Sequence, residues 1–170
     1  VGADGALHYD GISWSEIADL GEALAGIWGA AANDIYAVGA LGKIMHYDGA
    51  GWSAIDNATD YTYNLYAVWG SSATDVFVVG ENSTILHYNG STWTAMGGSY
   101  GIGIVPINCV WGTAPDNVYA VPITPEAGLL LHYDGSSWSQ IQTGIPEPFA
   151  AVGGSSAGSV YAAGGRTPRG

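Results

Sequence analysis

Short apolar runs separated by clusters of turn residues recur along the whole chain. Between Leu65 and Ala95 four of them follow in succession: Leu65–Trp69, Val76–Val79, Thr84–Tyr88 and Thr92–Ala95, each four or five residues long. They are bounded by segments such as Gly70-Ser71-Ser72-Ala73-Thr74-Asp75 and Asn89-Gly90. β-Branched and aromatic residues in runs of that length, set between Gly, Ser, Asn and Asp, predict strands. The one helix-favouring piece, Glu22-Ala23-Leu24-Ala25, is too short to sustain a helix.

The back half of each set carries a fixed pattern. Leu131-His132-Tyr133-Asp134-Gly135-Ser136-Ser137-Trp138 recurs as Leu7–Trp14, as Met45–Trp52 and, with Asn89 for the aspartate, as Leu86–Trp93. The front half carries Trp28-Gly29, Trp69-Gly70 and Trp111-Gly112, whose tryptophans are 41 and 42 residues apart, and Gly153 follows Trp111 by another 42. Four short strands in a period of about 40–45 residues are the signature of a propeller blade. Complete repeats span about 26–55, 67–96 and 109–141. Residues 151–164 hold the front half of a fourth, and residues 1–17 hold a back half.

The expected fold is therefore a single all-β domain over residues 1–170. It is a β-propeller with four-stranded antiparallel blades, four blades per chain, with one blade shared between N- and C-terminal strands. Sharing a blade removes the unpaired edges that would otherwise invite aggregation. The same halves exchanged between two chains give a homodimer with a ring of eight blades, and both closures fit the pattern.

The repeated positions have structural explanations. Asp-Gly or Asn-Gly between two strands is a strong hairpin signal, and either a two-residue or a four-residue loop puts Met45, Tyr47 and Trp52 on one face and His46 on the other. His8, His46, His87 and His132 occupy equivalent places. On a third strand, roughly 10 Å beyond the innermost one, they are too far from each other to share a metal ion. No metal site or cofactor is expected. A hydrogen bond to a turn residue, Asp34, Asp75 or Asp116, is their expected role, and Trp14, Trp52, Trp93 and Trp138 are expected to pack between blades. Asp10, Asp48 and Asp134 are explained as caps of their own turns. Cys109 stands where other repeats have Gly26 and Ala67, a small core position.

Charge removes whole classes of function. Three basic residues face 15 acidic ones, for a net charge of −12. A nucleic-acid partner needs Lys and Arg for its phosphates, and an anionic membrane surface needs them for its headgroups. Neither partner is expected, and no apolar run reaches the ~18 residues of a membrane span. An acidic chain poor in Lys and rich in Tyr and Trp is expected outside the cell or at its surface.

Local function should lie where the repeats differ, in the connections between blades. Asp56–Asn64 is polar, acidic and aromatic, and Gly97–Gly101 and the insertion Pro122–Gly128 also break the repeat. Tyrosines beside carboxylates and carboxamides suit sugars, whose apolar faces lie on rings and whose hydroxyls need polar partners. Asp60, Tyr61, Tyr63 and Tyr100 are accordingly the candidate ligand residues. Glycoside hydrolysis would require two carboxylates about 5–9.5 Å apart. No such pair, no Ser-His-Asp order and no phosphate loop stands out, so no catalytic residue is assigned and the chain is not expected to be an enzyme.

Trp69–Gly80 followed by Ile85–Trp93 resembles the tandem propeller repeats of secreted or surface bacterial proteins, related in style to kelch and Asp-box repeats. That resemblance covers nearly the whole chain. It implies a binding or scaffold propeller, with a glycan or another protein as partner, or else a purely structural repeat of a larger surface protein.

Overall fold

The computed structural model describes residues 6–17, 20–21, 23–56, 62–96, 98, 100–124 and 127–165. Its strands are β1 (Ala6–Tyr9), β2 (Trp14–Ile17), β3 (Leu24–Ala31), β4 (Asp34–Gly39), β5 (Ile44–Tyr47), β6 (Trp52–Ile55), β7 (Leu65–Ser72) and β8 (Asp75–Gly80). They continue with β9 (Ile85–Tyr88), β10 (Trp93–Ala95), β11 (Ile107–Ala114), β12 (Asn117–Pro122), β13 (Leu129–Tyr133), β14 (Trp138–Gln142), β15 (Phe149–Ser156) and β16 (Ser159–Gly164). Three four-stranded antiparallel sheets, β3–β6, β7–β10 and β11–β14, are the first, second and third blades of a β-propeller fold.

The half-repeats make two separate two-stranded sheets, β1–β2 and β15–β16, and no ladder joins β16 to β1 among the described residues. Each is tied to a different end of the row. Ala6 packs with Leu24, Ala37 and Met45 of the first blade, whereas Val152 packs with Val121 and Leu130 of the third. The innermost strands follow one another as β3, β7, β11 and β15.

Every blade repeats one cross-strand row. Trp28 pairs with Tyr36, Tyr36 with His46 and His46 with Ser53; the second blade has Trp69, Phe77, His87 and Thr94, and the third Trp111, Tyr119, His132 and Ser139. Strand alternation puts this row on the face turned to the following blade. The core lies in these junctions. Tyr36, Val38 and Ile44 meet Val68, Val76, Val78, Leu86 and Trp93, and Phe77, Val79 and Ile85 meet Val110, Val118, Leu131 and Tyr133. Each front-half tryptophan lies over a glycine of the next blade: a Cβ on Gly70 would stand 2.6 Å from the Trp28 ring, and one on Gly112 2.7 Å from Trp69.

The Asp-Gly turns are four-residue loops, not two-residue ones, because Tyr47 pairs with Trp52 and the Asp48 N–H donates to the Gly51 carbonyl. Only the glycine takes a positive φ, +90° at Gly49, and the aspartate is absent from the left-handed residues. The Asp48 carboxylate instead accepts the N–H groups of Ala50 and Gly51 at 2.8 and 3.0 Å. Asp10 and Asp134 do the same. These backbone bonds hold all three carboxyls below the usual aspartate range. Asn89 makes the same two bonds without a charge.

Cys109 is half-buried between the third blade and β15, its thiol 3.7 Å from the Val152 carbonyl. Trp14 departs from its expected place between blades: it is 69% exposed, since none of the described residues covers the outer face of β1–β2.

Candidate functional site

Antiparallel order places the loops of a blade at two opposite ends. The hairpin turns β3–β4 and β5–β6 lie at one end. The β4–β5 loop and the linker to the next blade lie at the other, called here the loop end.

At the hairpin end two of the four histidines meet the partners expected for them. His46 Nε2 is 2.8 Å from Asp34 Oδ1 and His87 Nε2 is 2.7 Å from Asp75 Oδ1. The third partner differs from expectation. His132 meets Asn117 Oδ1 at 2.8 Å, not Asp116, because Asn117 is the residue that opens β12, in step with Asp34 and Asp75. Each ring also lies on the aromatic of its row, 4.6 Å from Tyr36, 4.3 Å from Phe77 and 4.7 Å from Tyr119. Burial pushes the Tyr36 hydroxyl up to about 12, and that hydroxyl donates to the Ala73 carbonyl at 3.1 Å. His8 is exposed and its ring makes no hydrogen bond among the described residues. Removing a half-buried hydrogen-bonding partner costs about 1–3 kcal/mol. His87→Ala should therefore lower stability by that amount, and His8→Ala should stay within about 0.5 kcal/mol of the parent in urea unfolding.

The loop end is built differently. Asn64 closes the linker between the first and second blades: its N–H and its amide both donate to Glu81, each at 3.1 Å, and its side-chain carbonyl accepts the Leu41 N–H at 3.1 Å. The Tyr66 hydroxyl donates to Glu81 at 2.8 Å. That hydroxyl, with the Asn64 donors, holds the Glu81 carboxyl below its ordinary value, while burial and then Glu81 push Tyr66 up. Between the second and third blades the Ser83 hydroxyl accepts the Val105 N–H at 3.0 Å. Leu41, Asn82 and Ser83 all take left-handed φ values, near 57, 55 and 56°, a conformation that costs non-glycine residues about 1–3 kcal/mol and that surrounding bonds must hold in place.

Around this frame stand apolar side chains with little cover. Ile104 is 73% exposed, and Leu41, Ile123, Ile145 and Tyr63 are exposed with it. All five lie in loops of this end. At the hairpin end the exposed large apolar residues among those described, Ile12, Tyr9 and Trp14, all belong to the β1–β2 hairpin. Sequence reasoning missed the four aliphatic residues because it searched the linkers for polar and aromatic chemistry; the signal was an isolated Leu or Ile inside a turn segment.

Of the candidate ligand residues, Asp60 and Tyr61 lie outside the described residues. Tyr63 is at the loop end. Tyr100 is half-buried: its ring is 6.5 Å from that of Trp138 and its hydroxyl donates to the Met96 carbonyl at 3.3 Å. Tyr63 and Tyr100 belong to different linkers, the first between blades one and two and the second between blades two and three. Among the described residues no three potential metal ligands gather, and no helix is long and apolar enough to cross a membrane.

No protein-family model and no curated protein matches the chain. Solved structures do. The chain is similar to YCF48 bound to D1 peptide, with a TM-score of 0.60 and 13% sequence identity over 84% of this chain and 47% of that one. YCF48 from Cyanidioschyzon merolae superposes with a TM-score of 0.48, also at 13% identity, over 76% of this chain and 59% of that one. The chain thus spans about half the length of the first of these propellers, and what the two share is the β-propeller fold.

Proposed function

We propose that this chain is a non-catalytic, protein-binding propeller module whose loop end receives a peptide segment of its partner. One observation carries this reading: Leu41, Ile104, Ile123, Ile145 and Tyr63 are exposed in loops at one end of the strands, where the Asn64–Glu81 and Ser83–Val105 bonds brace the linkers that carry Tyr63 and Ile104. Exposed apolar side chains gathered on one face of a soluble domain are the usual mark of a protein contact. Loops held in place by a rigid scaffold are where binding residues concentrate. YCF48, a propeller of similar fold, is seen bound to D1 peptide. The net charge of −12 favours a segment with apolar anchors and basic flanks.

The test is selection of peptides from a displayed random library against the immobilised chain, followed by calorimetric titration of the winners. Winners should pair apolar residues with Lys or Arg. They should lose at least tenfold in affinity against a chain carrying Leu41→Asp, Ile104→Asp, Ile123→Asp and Ile145→Asp, since truncating a central apolar anchor removes about 2 kcal/mol or more. Equal binding to both chains, with the variant folded by circular dichroism, would reject the loop end as the site.

A further inference from the structure

Neighbouring blades meet through the same repeated parts, so a junction that is filled shows what another lacks. Between the second and third blades, Tyr100 lies over the meeting of the outer strands. Its ring stands edge-on to Trp138 at 6.5 Å, and its hydroxyl donates to the Met96 carbonyl at 3.3 Å. Gln140 on β14 holds the same residue by its main chain, its side-chain amide donating to the Tyr100 carbonyl at 2.9 Å. Tyr100 has a φ of 44°, a left-handed conformation that a non-glycine residue keeps only where its surroundings hold it. The Trp138 indole N–H is satisfied as well, by Met96 Sδ at 3.4 Å.

Between the first and second blades the corresponding place is a cleft of about 330 Å³, lined by Ile55, Asp56, Tyr88, Ser91, Thr92 and Trp93. Ile55 and Trp93 are the repeat counterparts of Met96 and Trp138, the two residues that hold the Tyr100 side chain. Two differences set this junction apart. Ala95 stands where Gln140 stands and has no amide to anchor a main chain. Ile55 stands where Met96 stands and has no sulfur to accept an indole N–H. Trp93 is only 6% exposed, and its indole nitrogen is buried with no hydrogen-bond partner among the described residues. A buried donor with no acceptor is rare and unfavourable, and beside a cleft it marks a place for an acceptor from outside.

We infer that this cleft seats a tyrosine side chain of a partner protein, its ring lying between Ile55 and Trp93 as Tyr100 lies between Met96 and Trp138. The lining selects that chemistry. Ile55 and the stacked pair of Tyr88 and Trp93, 5.2 Å apart, form an apolar and aromatic wall that suits a flat ring. A phenol hydroxyl both donates and accepts. It can donate to the Ile55 carbonyl, as Tyr100 does to that of Met96, and accept the Trp93 N–H once the Ile55 side chain turns aside, a rotamer change common at interfaces. A phenylalanine ring leaves both groups unmet, and a lysine or arginine head brings only donors to face the indole N–H. Asp56, Ser91 and Thr92, all exposed, stand at the rim for the main chain that carries the tyrosine. The cleft shares no residue with the loop-end patch and stands or falls without it.

Titration of the chain with N-acetyl-tyrosinamide, followed by nuclear magnetic resonance, tests this. The Trp93 indole N–H signal, identified by its loss in Trp93→Phe, should move with a dissociation constant of about 1 mM, as expected of a ligand this small. N-acetyl-phenylalaninamide should bind about fivefold more weakly for want of the hydroxyl. Thr92→Arg, at an exposed rim position, should abolish the shift with an unchanged circular dichroism spectrum. Ser137→Arg, the same change one repeat later, should leave it intact, and so should Leu41→Asp at the loop end. No movement of the Trp93 signal up to the solubility of the probe would overturn the inference. Equal affinity for the two probes, or a shift that survives Thr92→Arg, would do the same.

Discussion

Phe77→Ala should be the most damaging single truncation in the chain, lowering stability by about 3–5 kcal/mol. Phe77 is fully buried at the middle of its row, where four aromatic neighbours converge on it. Trp69 and His87 flank it within the second blade, at 6.3 and 4.3 Å between rings, and Tyr133 and Trp138 approach from the third at 5.5 and 6.2 Å, the latter edge-on. Tilted and edge-on ring pairs of this kind add about 0.5–1.5 kcal/mol each beyond the area they bury. Alanine would forfeit those contacts and leave a cavity that stiff neighbouring strands cannot collapse to fill. For a domain of this size the loss corresponds to a fall of roughly 10 °C in the midpoint of thermal unfolding. Tyr161→Ala supplies the internal comparison: the same row position, 70% exposed, should change the unfolding free energy of the chain by no more than about 0.5 kcal/mol. A midpoint for Phe77→Ala within a few degrees of the parent would show that the second and third blades are not held together by this row.

Most of this architecture is legible in the repeats, since a blade is defined by local hairpins and local hairpins are written in adjacent residues. The spacing of Trp28, Trp69 and Trp111 locates the innermost strands, and the pattern from His to Trp locates the outer pair. Strand alternation alone separates His46 from Tyr47 and Trp52. Two local details were hidden. The turn length depends on whether Asp48 caps its own loop or enters the left-handed region, and the same Asp-Gly serves both. The partner of His132 depends on which of Asp116 and Asn117 opens β12, a shift of one residue that composition does not reveal. The loop end was less legible for a physical reason: the contacts that shape it join Asn64 to Leu41 and Glu81, and Ser83 to Val105, across connections whose lengths differ from repeat to repeat. The state of the two half-repeats was illegible altogether. The repeats write both halves in the same pattern as the whole blades, but a ladder between β16 and β1 would join residues far apart in the chain, and among the described residues the two share none.

Gly80→Ala tests the second feature on which the fold depends, the close approach of backbone at the loop end, and should cost about 3 kcal/mol, the upper part of the range for overpacking. Gly80 ends β8 opposite Leu65, at a bulge in the β7–β8 ladder. A Cβ there would lie 2.2 Å from the Asn64 carbonyl oxygen and 2.9 Å from the Leu65 Cα. Both obstacles are main chain, so no rotamer change relieves them, and the strain does not arise from φ, which is not positive at this residue. Gly39 and Gly164 meet the corresponding obstacles, the Ala23 and Pro148 carbonyls at 2.1 and 2.0 Å, so the approach recurs in three of the four sheets, while the third blade carries Pro122 opposite Ile107 at this position. The displaced residue would be Asn64, the same side chain that holds Glu81 and the Leu41 N–H. The substitution should thus loosen the loop end as well as destabilise the sheet, seen as faster amide exchange at Leu41 and Glu81 than in the parent. Gly153→Ala is the control: nothing lies within 4 Å of its Cβ position, and its urea midpoint should shift by no more than about 0.5 kcal/mol equivalent. Equal midpoints for the two variants at an unchanged slope would mean that the β7–β8 bulge yields freely, and that Gly80 is not there to let Asn64 approach.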